Sequence, residues 1–587
     1  MTNLGVKMAL IINTNSPTLT TPPTFFTGES DFENYIHSHY TYIDKTRFIK
    51  KWLESGNKIT LIVRPRRFFK TTTLSMVDKW FNCTHINTLF QGTEILSIAT
   101  PTMLSDRENL ISIFITLKNI DAKSLHTLLS GLKQSFRRVF FEYEEIYSEY
   151  VKNYGEKLGP EASAKDQIVL ITNEFVSFIE YLAHKLKVKF IILIDEYDKI
   201  LMDAADNDEN EKGYFNIVLD IYRNFLNSLL KDTWFVERAI LTGVLPLAAN
   251  SVFSAFNNSI RDTFFNNLYE DIFGFTFDEI KVLTGWMSKE EDARMLDLLD
   301  SYNSGTINVI NPWSLINYIK NEVNQESSYS NNWVLTGNSD WIRYRDKLTN
   351  EELEKVSALL VGESLTVPLN HELSYLDRSY SLSNYLTYAF YTGYLTFEEV
   401  TSDTVSLRIP NKEVLNAWLA NIDLLIGSVK LSFNWSDILE SLNSSAASEQ
   451  ELEQTLQTLL EECASTWDVV DKENSYHMWI LGLMTSLVGT HKVTSNREAG
   501  LGRFDIAVTP LTSRKVLRNY VFELKKSNNA NTMITDTIEA IEQVKRNKYY
   551  QYFDNRYDIV IIGLAAFKKN IKVKIEVYTR EQLMSLP

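Results

Sequence analysis

Cysteine is almost missing from this 587-residue chain; Cys83 and Cys463 are the only two. Two thiols cannot build a disulfide framework or a cysteine-rich zinc site, and such sparing use fits a reducing compartment. The eight histidines are scattered and never pair at H-x-x-x-H spacing, which leaves a zinc hydrolase without a ligand set. No G-x-S-x-G elbow of a serine hydrolase occurs. Long apolar runs are also lacking. Phe190 to Ile194 is far too short to span a bilayer, and Met8 to Ile12, after a single Lys7, is too short for a secretory signal. The expectation is a cytoplasmic protein without a membrane partner; a nuclear or host-delivered location stays open.

The composition is that of an ordinary globular protein, with 44% hydrophobic and 23% charged residues. The length suits three to four domains, each able to bury its own core. A formal net charge of −16 argues against a surface that coats nucleic acid everywhere, but the charge is unevenly placed. Residues 471–587 hold 18 Lys+Arg against 12 Asp+Glu, a net of +6, while the rest carries −22. A basic module on an acidic body fits a C-terminal domain that attracts phosphates, because local charge sets that attraction.

Residues 1–27, rich in Thr, Pro and Asn, read as a flexible arm. Residues 28–285 alternate apolar strands with helical segments, the pattern of a parallel α/β sheet. Ile59 to Val63 is followed by a turn at Arg64-Pro65-Arg66-Arg67 and a helix from about Lys70 to Phe81. Phe190 to Ile194 ends in Asp195-Glu196, and Ala239-Ile240-Leu241 ends in Thr242-Gly243. Residues 286–445 read as a mostly helical linker or lid. In residues 446–587 a capping box of Ser448 and Glu451 opens a helix with Leu452, Leu456, Leu459, Leu460 and Cys463 on one face. Later, Ile571, Val573, Ile575 and Val577 alternate with polar residues as in a half-buried strand.

The segments Arg503-Phe504-Asp505-Ile506-Ala507-Val508 and Val521-Phe522-Glu523-Leu524-Lys525 read as adjacent strands bearing Asp and then Glu-x-Lys. Two nearby carboxylates suit Mg²⁺ or Mn²⁺, hard cations that prefer oxygen. An ammonium beside them can orient the attacking water. Residues i and i+2 of a strand share a face, so Glu523 and Lys525 point together. This layout resembles the PD-(D/E)xK nuclease superfamily. Glu473-Asn474-Ser475-Tyr476-His477 resembles the E-x-x-Y-H helix of one of its families. Glu498 to Asp505 resembles that family's E-x-G-x-G-R-x-D stretch, and Gln543 with Tyr549 its Q-x5-Y helix. The resemblance implies metal ligation by Asp505, Glu523 and Glu473, with Glu498 as rival to Glu473. It also implies catalytic roles for Lys525 and Gln543, with Tyr549 supporting the fold. His477 is either a phosphate contact or structural. Met533, Ile538, Ile541 and Val544 are the expected packing residues of the Gln543 helix.

The same family carries an AAA-ATPase-like domain ahead of the nuclease, and this order is repeated here. Phe32 and Tyr42-Ile43-Asp44-Lys45-Thr46 resemble its F…Y-V-D-K-T entry, and Asn257-Asn258 its N-N pair. Arg64-Pro65-Arg66-Arg67-Phe68-Phe69-Lys70-Thr71 resembles R-P-R-R-F-G-K-[ST], a P-loop whose Lys and Thr would reach phosphates and Mg²⁺. Phe69 replaces the glycine, which should crowd the phosphate path and penalise the backbone. Leu193-Ile194-Asp195-Glu196 resembles a Walker B strand, and Thr242 a sensor residue. Lys70, Thr71, Arg67, Asp195, Glu196 and Thr242 are thus the candidate nucleotide contacts, and Phe69 leaves ATP binding and hydrolysis open. Arg64, Arg66 and Arg67 can hold nucleotide phosphates or a DNA backbone, or simply pair with acidic neighbours.

The fold expected is α/β: a P-loop NTPase-like parallel sheet, a helical middle region and a C-terminal restriction-endonuclease-like domain. The function expected is Mg²⁺-dependent hydrolysis of DNA phosphodiesters, regulated or positioned by a degenerate AAA-type domain through which the chain can oligomerise. The alternative is a binding or scaffolding protein that holds nucleic acid without cutting it. Loss of the loop glycine favours it; the complete Asp505, Glu523 and Lys525 set disfavours it.

Overall fold

The apolar runs near 59–63, 190–194 and 239–241 have no polar face, so each needs cover on both sides. In the computed structural model they form inner strands of a five-stranded, all-parallel sheet. Its strands are β1 (Ile59–Val63), β2 (Leu110–Thr116), β3 (Lys189–Asp195), β4 (Val236–Gly243) and β5 (Ser259–Asp262), in the order β2-β3-β4-β1-β5. The structure describes residues 9–587 apart from 156–161, 208–211, 247–258, 300, 325–348, 361, 369–380, 419–434, 443–444, 463–472, 488–490, 512–517, 554–556 and 585–587. Cys463, Asn257 and Asn258 lie outside the described residues.

The chain divides into two compact units. The first comprises Met1–Asn338 and Leu369–Thr396, the second Ser339–Pro368 and Phe397–Pro587. Residues 286–445 are therefore shared between the units. In the first unit, helix α1 (Lys70–Asn82) follows β1 directly, and register pairs Ile62 and Asp195 with Thr242. The crevice beyond the carboxyl ends of parallel strands is where such sheets hold ligands. Helix α2 (Pro312–Asn324) starts with Pro in its first turn, and the Asn311 side chain accepts the Trp313 N–H at 2.9 Å. Small three-stranded sheets accompany the helices of the middle region.

The expected arm is packed where it is described. Leu10–Ile12 pairs in parallel with Thr41–Ile43, and Ile12 and Phe25 join a buried cluster with Phe275, Leu283 and Leu315. Its Thr- and Pro-rich composition hides a few apolar anchors. The Asp44-Lys45-Thr46 motif is also structural. Lys45 forms a buried ion pair with Glu279 at 2.7 Å, while Asp44 Oδ2 accepts the Glu94 N–H.

The second unit holds β6 (His491–Ala499), β7 (Gly502–Pro510), β8 (Arg518–Lys526), β9 (Asp558–Phe567) and β10 (Asn570–Tyr578), paired in sequence order. Only β8 and β9 run parallel. Among the helices that accompany the sheet are α3 (Ala446–Glu462), α4 (Glu473–Leu483) and α5 (Met533–Arg546), the last crossing over from β8 to β9. The buried face of α5 is Met533, Thr537, Ala540, Ile541 and Val544. Ile538, expected to pack, is 47% exposed, because at one residue past Thr537 it has rotated off that face. Helix α3 starts at Ala446, earlier than its expected box, and Ser445 Oγ accepts the Ser448 N–H at 3.3 Å. Ser448 is thus capped rather than capping.

Strand β10 would expose an open edge, yet α3 covers it with side chains. Glu449, Glu453 and Gln457 accept the N–H groups of Ile575, Val573 and Ile571 at 3.1, 3.2 and 3.0 Å. Four helical residues advance about 6 Å and two strand residues about 6.8 Å, so the two series stay in step. Lys574 and Lys572 pair with Glu449 and Glu453. Replacing Glu453 by Ala should destabilise this edge by about 1–2 kcal/mol. Hydrogen exchange at the Val573 amide should quicken; an unchanged rate would show that the edge is protected by other means.

Candidate functional site

The β7–β8 ladder pairs Val508, Ala507 and Ile506 with Tyr520, Val521 and Phe522. The next step brings Asp505 alongside Glu523, and there a side chain replaces the backbone acceptor. Asp505 Oδ2 takes the Leu524 N–H at 2.7 Å. Burial raises the Asp505 carboxyl above its ordinary range. Burial also pushes Glu523, 2% exposed, up to about 8, with the neighbouring Asp505 charge adding to the rise and Lys525 opposing it.

Helix α5 delivers Gln543 between the acid and the base. Lys525 Nζ donates to Gln543 Oε1 at 2.5 Å and lies 3.6 Å from Glu523 Oε1. The Gln543 amide nitrogen donates to Glu523 Oε1 and, at 3.4 Å, to the Tyr549 hydroxyl. An ammonium offers no acceptor and a carboxylate no donor, so these partners fix which way the amide faces. Among the described residues Glu523 Oε2 is left buried without a hydrogen-bond partner, a costly state for a carboxylate oxygen. That unmet oxygen, next to Asp505, fits a divalent cation. Among the described residues no group of three or more His, Cys, Asp or Glu is placed to hold a metal. Of the described residues, Asp505 and Glu523 would offer two carboxylates to a cation here, and water can complete the shell of an ion such as Mg²⁺.

Glu473 is the first residue of α4 and Glu498 lies in β6; the side chains of both fall outside the described part. His477 is buried, with Nε2 3.3 Å from the Asp505 carbonyl and 3.2 Å from Ser495 Oγ. It holds the strand behind Asp505, the structural option of the two. The glycine motif explains itself at Gly500, where φ is +59° and a Cβ would run into the Asn547 carbonyl. That carbonyl also accepts the Leu501 N–H at 2.8 Å. Asn547 Nδ2 in turn donates to the Tyr549 hydroxyl at 2.8 Å, tying the turn to Gln543. Asn547 belongs to no motif read from the sequence.

In the first unit the loop after β1 keeps its backbone shape although its glycine is gone. Phe69 has φ +59°, in the left-handed region, and its ring packs edge-on against Phe275 with centroids 5.2 Å apart. That conformation costs a non-glycine residue roughly 1–2 kcal/mol, and the partly buried ring works against that cost by packing on the apolar cluster around Phe275. The expected backbone penalty is therefore offset by packing. Asp195 gathers the Walker-like residues, accepting from Thr71 Oγ1 at 2.8 Å and Thr242 Oγ1 at 2.7 Å. Glu196 follows at φ +53°, its carboxyl raised by burial and by Asp195. Lys70 Nζ donates to the Arg64 and Pro65 carbonyls at 2.9 and 2.7 Å, and burial lowers its ammonium to about 8. Arg64 is fully buried, paired to Asp262 at 2.6 Å, so it settles on the acidic-neighbour option. Arg67 is exposed, its guanidinium 4.3 Å over the Trp313 ring.

These arrangements agree with what known proteins show. Residues 27–253 match the family model described as predicted AAA-ATPase, and residues 471–576 match that of the PD-(D/E)XK nuclease superfamily. The chain joins an AAA-ATPase-like domain to a PD-(D/E)XK nuclease superfamily domain. No curated protein matches. Among solved structures, one titled "Structure of Drosophila ORC bound to AT-rich DNA and Cdc6" matches at 10% identity and a TM-score of 0.16. It covers 64% of this chain and 91% of that one, and a likeness that slight carries no argument. No helix among the described residues is long and apolar enough to cross a membrane.

Carboxyls whose folded pKa lies above the unfolded value hold protons that the unfolded chain releases. Stability of the metal-free protein should therefore fall as pH rises from the ordinary carboxylate range toward about 8. Thermal melts of wild type and Glu523→Gln across that window check this. The decline should be shallower in the variant; equal slopes would place the titration elsewhere.

Proposed function

We propose that residues 446–587 form a nuclease that hydrolyses DNA phosphodiester bonds with Mg²⁺ or Mn²⁺, and that residues 28–285 regulate or position it. The observation that carries this is the buried, unpartnered Glu523 Oε2 beside Asp505, with the Lys525 ammonium held 3.6 Å from the other oxygen. Asp505 and Glu523 would hold the ion, with Glu473 as third acidic group. The ion supplies positive charge at the scissile phosphate and acidifies a bound water. Gln543 keeps Lys525 from closing onto Glu523, so the ammonium has protons left to orient the attacking water. The +6 balance of residues 471–587 supports attraction of a polyanion.

Within residues 28–285, the bonded set of Thr71, Asp195 and Thr242 suits a metal–nucleotide, and Glu196 would polarise the attacking water. Arg67 completes the contacts on the loop side, and Lys70 supports that loop through the Arg64 and Pro65 carbonyls. Oligomerisation through this domain and a cytoplasmic setting belong to the same proposal.

The test is cleavage of linear, circular and single-stranded DNA, and of RNA, with Mg²⁺ or Mn²⁺. Asp505→Ala and Lys525→Ala should abolish cutting, as should EDTA. Gln543→Ala, which removes a support rather than a ligand, should slow it about 10- to 100-fold. Absence of cutting by wild type on every substrate, with and without ATP, would replace this reading with that of a nucleic-acid-binding protein.

A further inference from the structure

The cavity beside the loop has a volume of about 430 Å³ and is walled by Phe26, Tyr35, Phe69 and Trp313. The cations around it are not equally free. Arg64 is locked to Asp262. Lys199 is paired with Asp203. Lys70 is buried with two of its three protons on the Arg64 and Pro65 carbonyls, which makes it a strut across the loop. Removing it would leave those carbonyls without a donor in a buried place.

Arg66, Arg67 and Lys118 are different. They line the same cavity, and among the described residues none has a side-chain hydrogen bond or a salt bridge. Arg67 only stacks on Trp313, an interaction of about 0.5–1 kcal/mol at an exposed site. A charge-assisted bidentate bond to phosphate is stronger than that. Of the acids at the cavity, Glu29 is already committed to the Ser30 and Asp31 N–H groups, and Glu196 attracts Arg66 and Arg67 without a salt bridge to either.

We infer that the cavity takes a polyphosphate whose oxygens are held by the Arg66 and Arg67 guanidiniums, Arg67 leaving the face of Trp313 to do so, while Lys70 stays a structural strut. In a glycine-bearing loop the lysine closes on the phosphates; here the arginines take over that role. The inference rests on reading residues 28–285 as a nucleotide-binding domain. A cavity of this size and aromatic lining suits a nucleoside triphosphate, and inorganic triphosphate tells whether the base matters.

The test is titration of the full chain with ATP and with inorganic triphosphate by calorimetry and tryptophan emission. Wild type should bind and change its emission, and that change should be absent in Trp313→Phe. Arg66→Ala combined with Arg67→Ala, both on accessible side chains, should weaken binding about tenfold or more. Lys70→Met should lower the melting temperature and weaken binding less than the double variant does. Retained affinity in the double variant would overturn the inference while leaving the domain reading intact. Failure of wild type to bind either triphosphate would overturn both.

Discussion

Two carboxylates are held side by side where burial disfavours their charge, and the second unit is arranged around that conflict. Asp505 answers part of it with the Leu524 N–H. Glu523 has a donor for one oxygen only, the Gln543 amide, and its other oxygen has none. Strand β7 brings Asp505, β8 brings Glu523 and Lys525 on one face, and the crossover helix α5 brings Gln543 to separate acid from base. Asn547 and Tyr549 then lock the end of that helix to the Gly500 turn. The cost of such an arrangement makes sense if the unmet oxygen has an occupant, and a cation is the occupant its chemistry invites.

The first unit shows how a loop can lose its defining residue and keep its shape. The backbone at Phe69 still takes the left-handed turn a glycine would take, and the ring's contact with Phe275 sustains it. Asp195 still collects Thr71 and Thr242, because parallel register sets Thr242 beside it. What changes is the side-chain traffic around the loop. Arg64, Phe68, Phe69 and Arg67 each anchor on residues between Asp262 and Trp313, and of these contacts the Phe69 ring's is the one a glycine could not make.

Much of this was legible in the sequence, for identifiable reasons. Strands β1, β3 and β4 each contain a largely apolar run followed by motif residues, and α1 starts at Lys70 as expected. The two-residue spacing of Glu523 and Lys525 determines a shared face whatever the tertiary structure. Less legible was anything set by contacts distant in the chain. Phe69 looked prohibitive because its partner Phe275 lies some two hundred positions away. Arg64 could be read as a phosphate contact or as the partner of an acidic neighbour, and the deciding residue, Asp262, is distant in the chain. The arm's anchors, Ile12 and Phe25, were hidden by the prolines and threonines around them. Asn547 had no motif to announce it, and its role exists only because Gly500 packs onto its carbonyl.

The central claim, that Asp505 and Glu523 form a divalent-cation site, is tested most directly by equilibrium binding of Mn²⁺ to the full chain, followed by electron paramagnetic resonance without nucleic acid. The account predicts a site that is present in wild type and lost in Glu523→Gln, a variant that keeps the side-chain shape and removes the charge. Binding of Mn²⁺ that is unchanged by Glu523→Gln, or no binding by wild type, would contradict it.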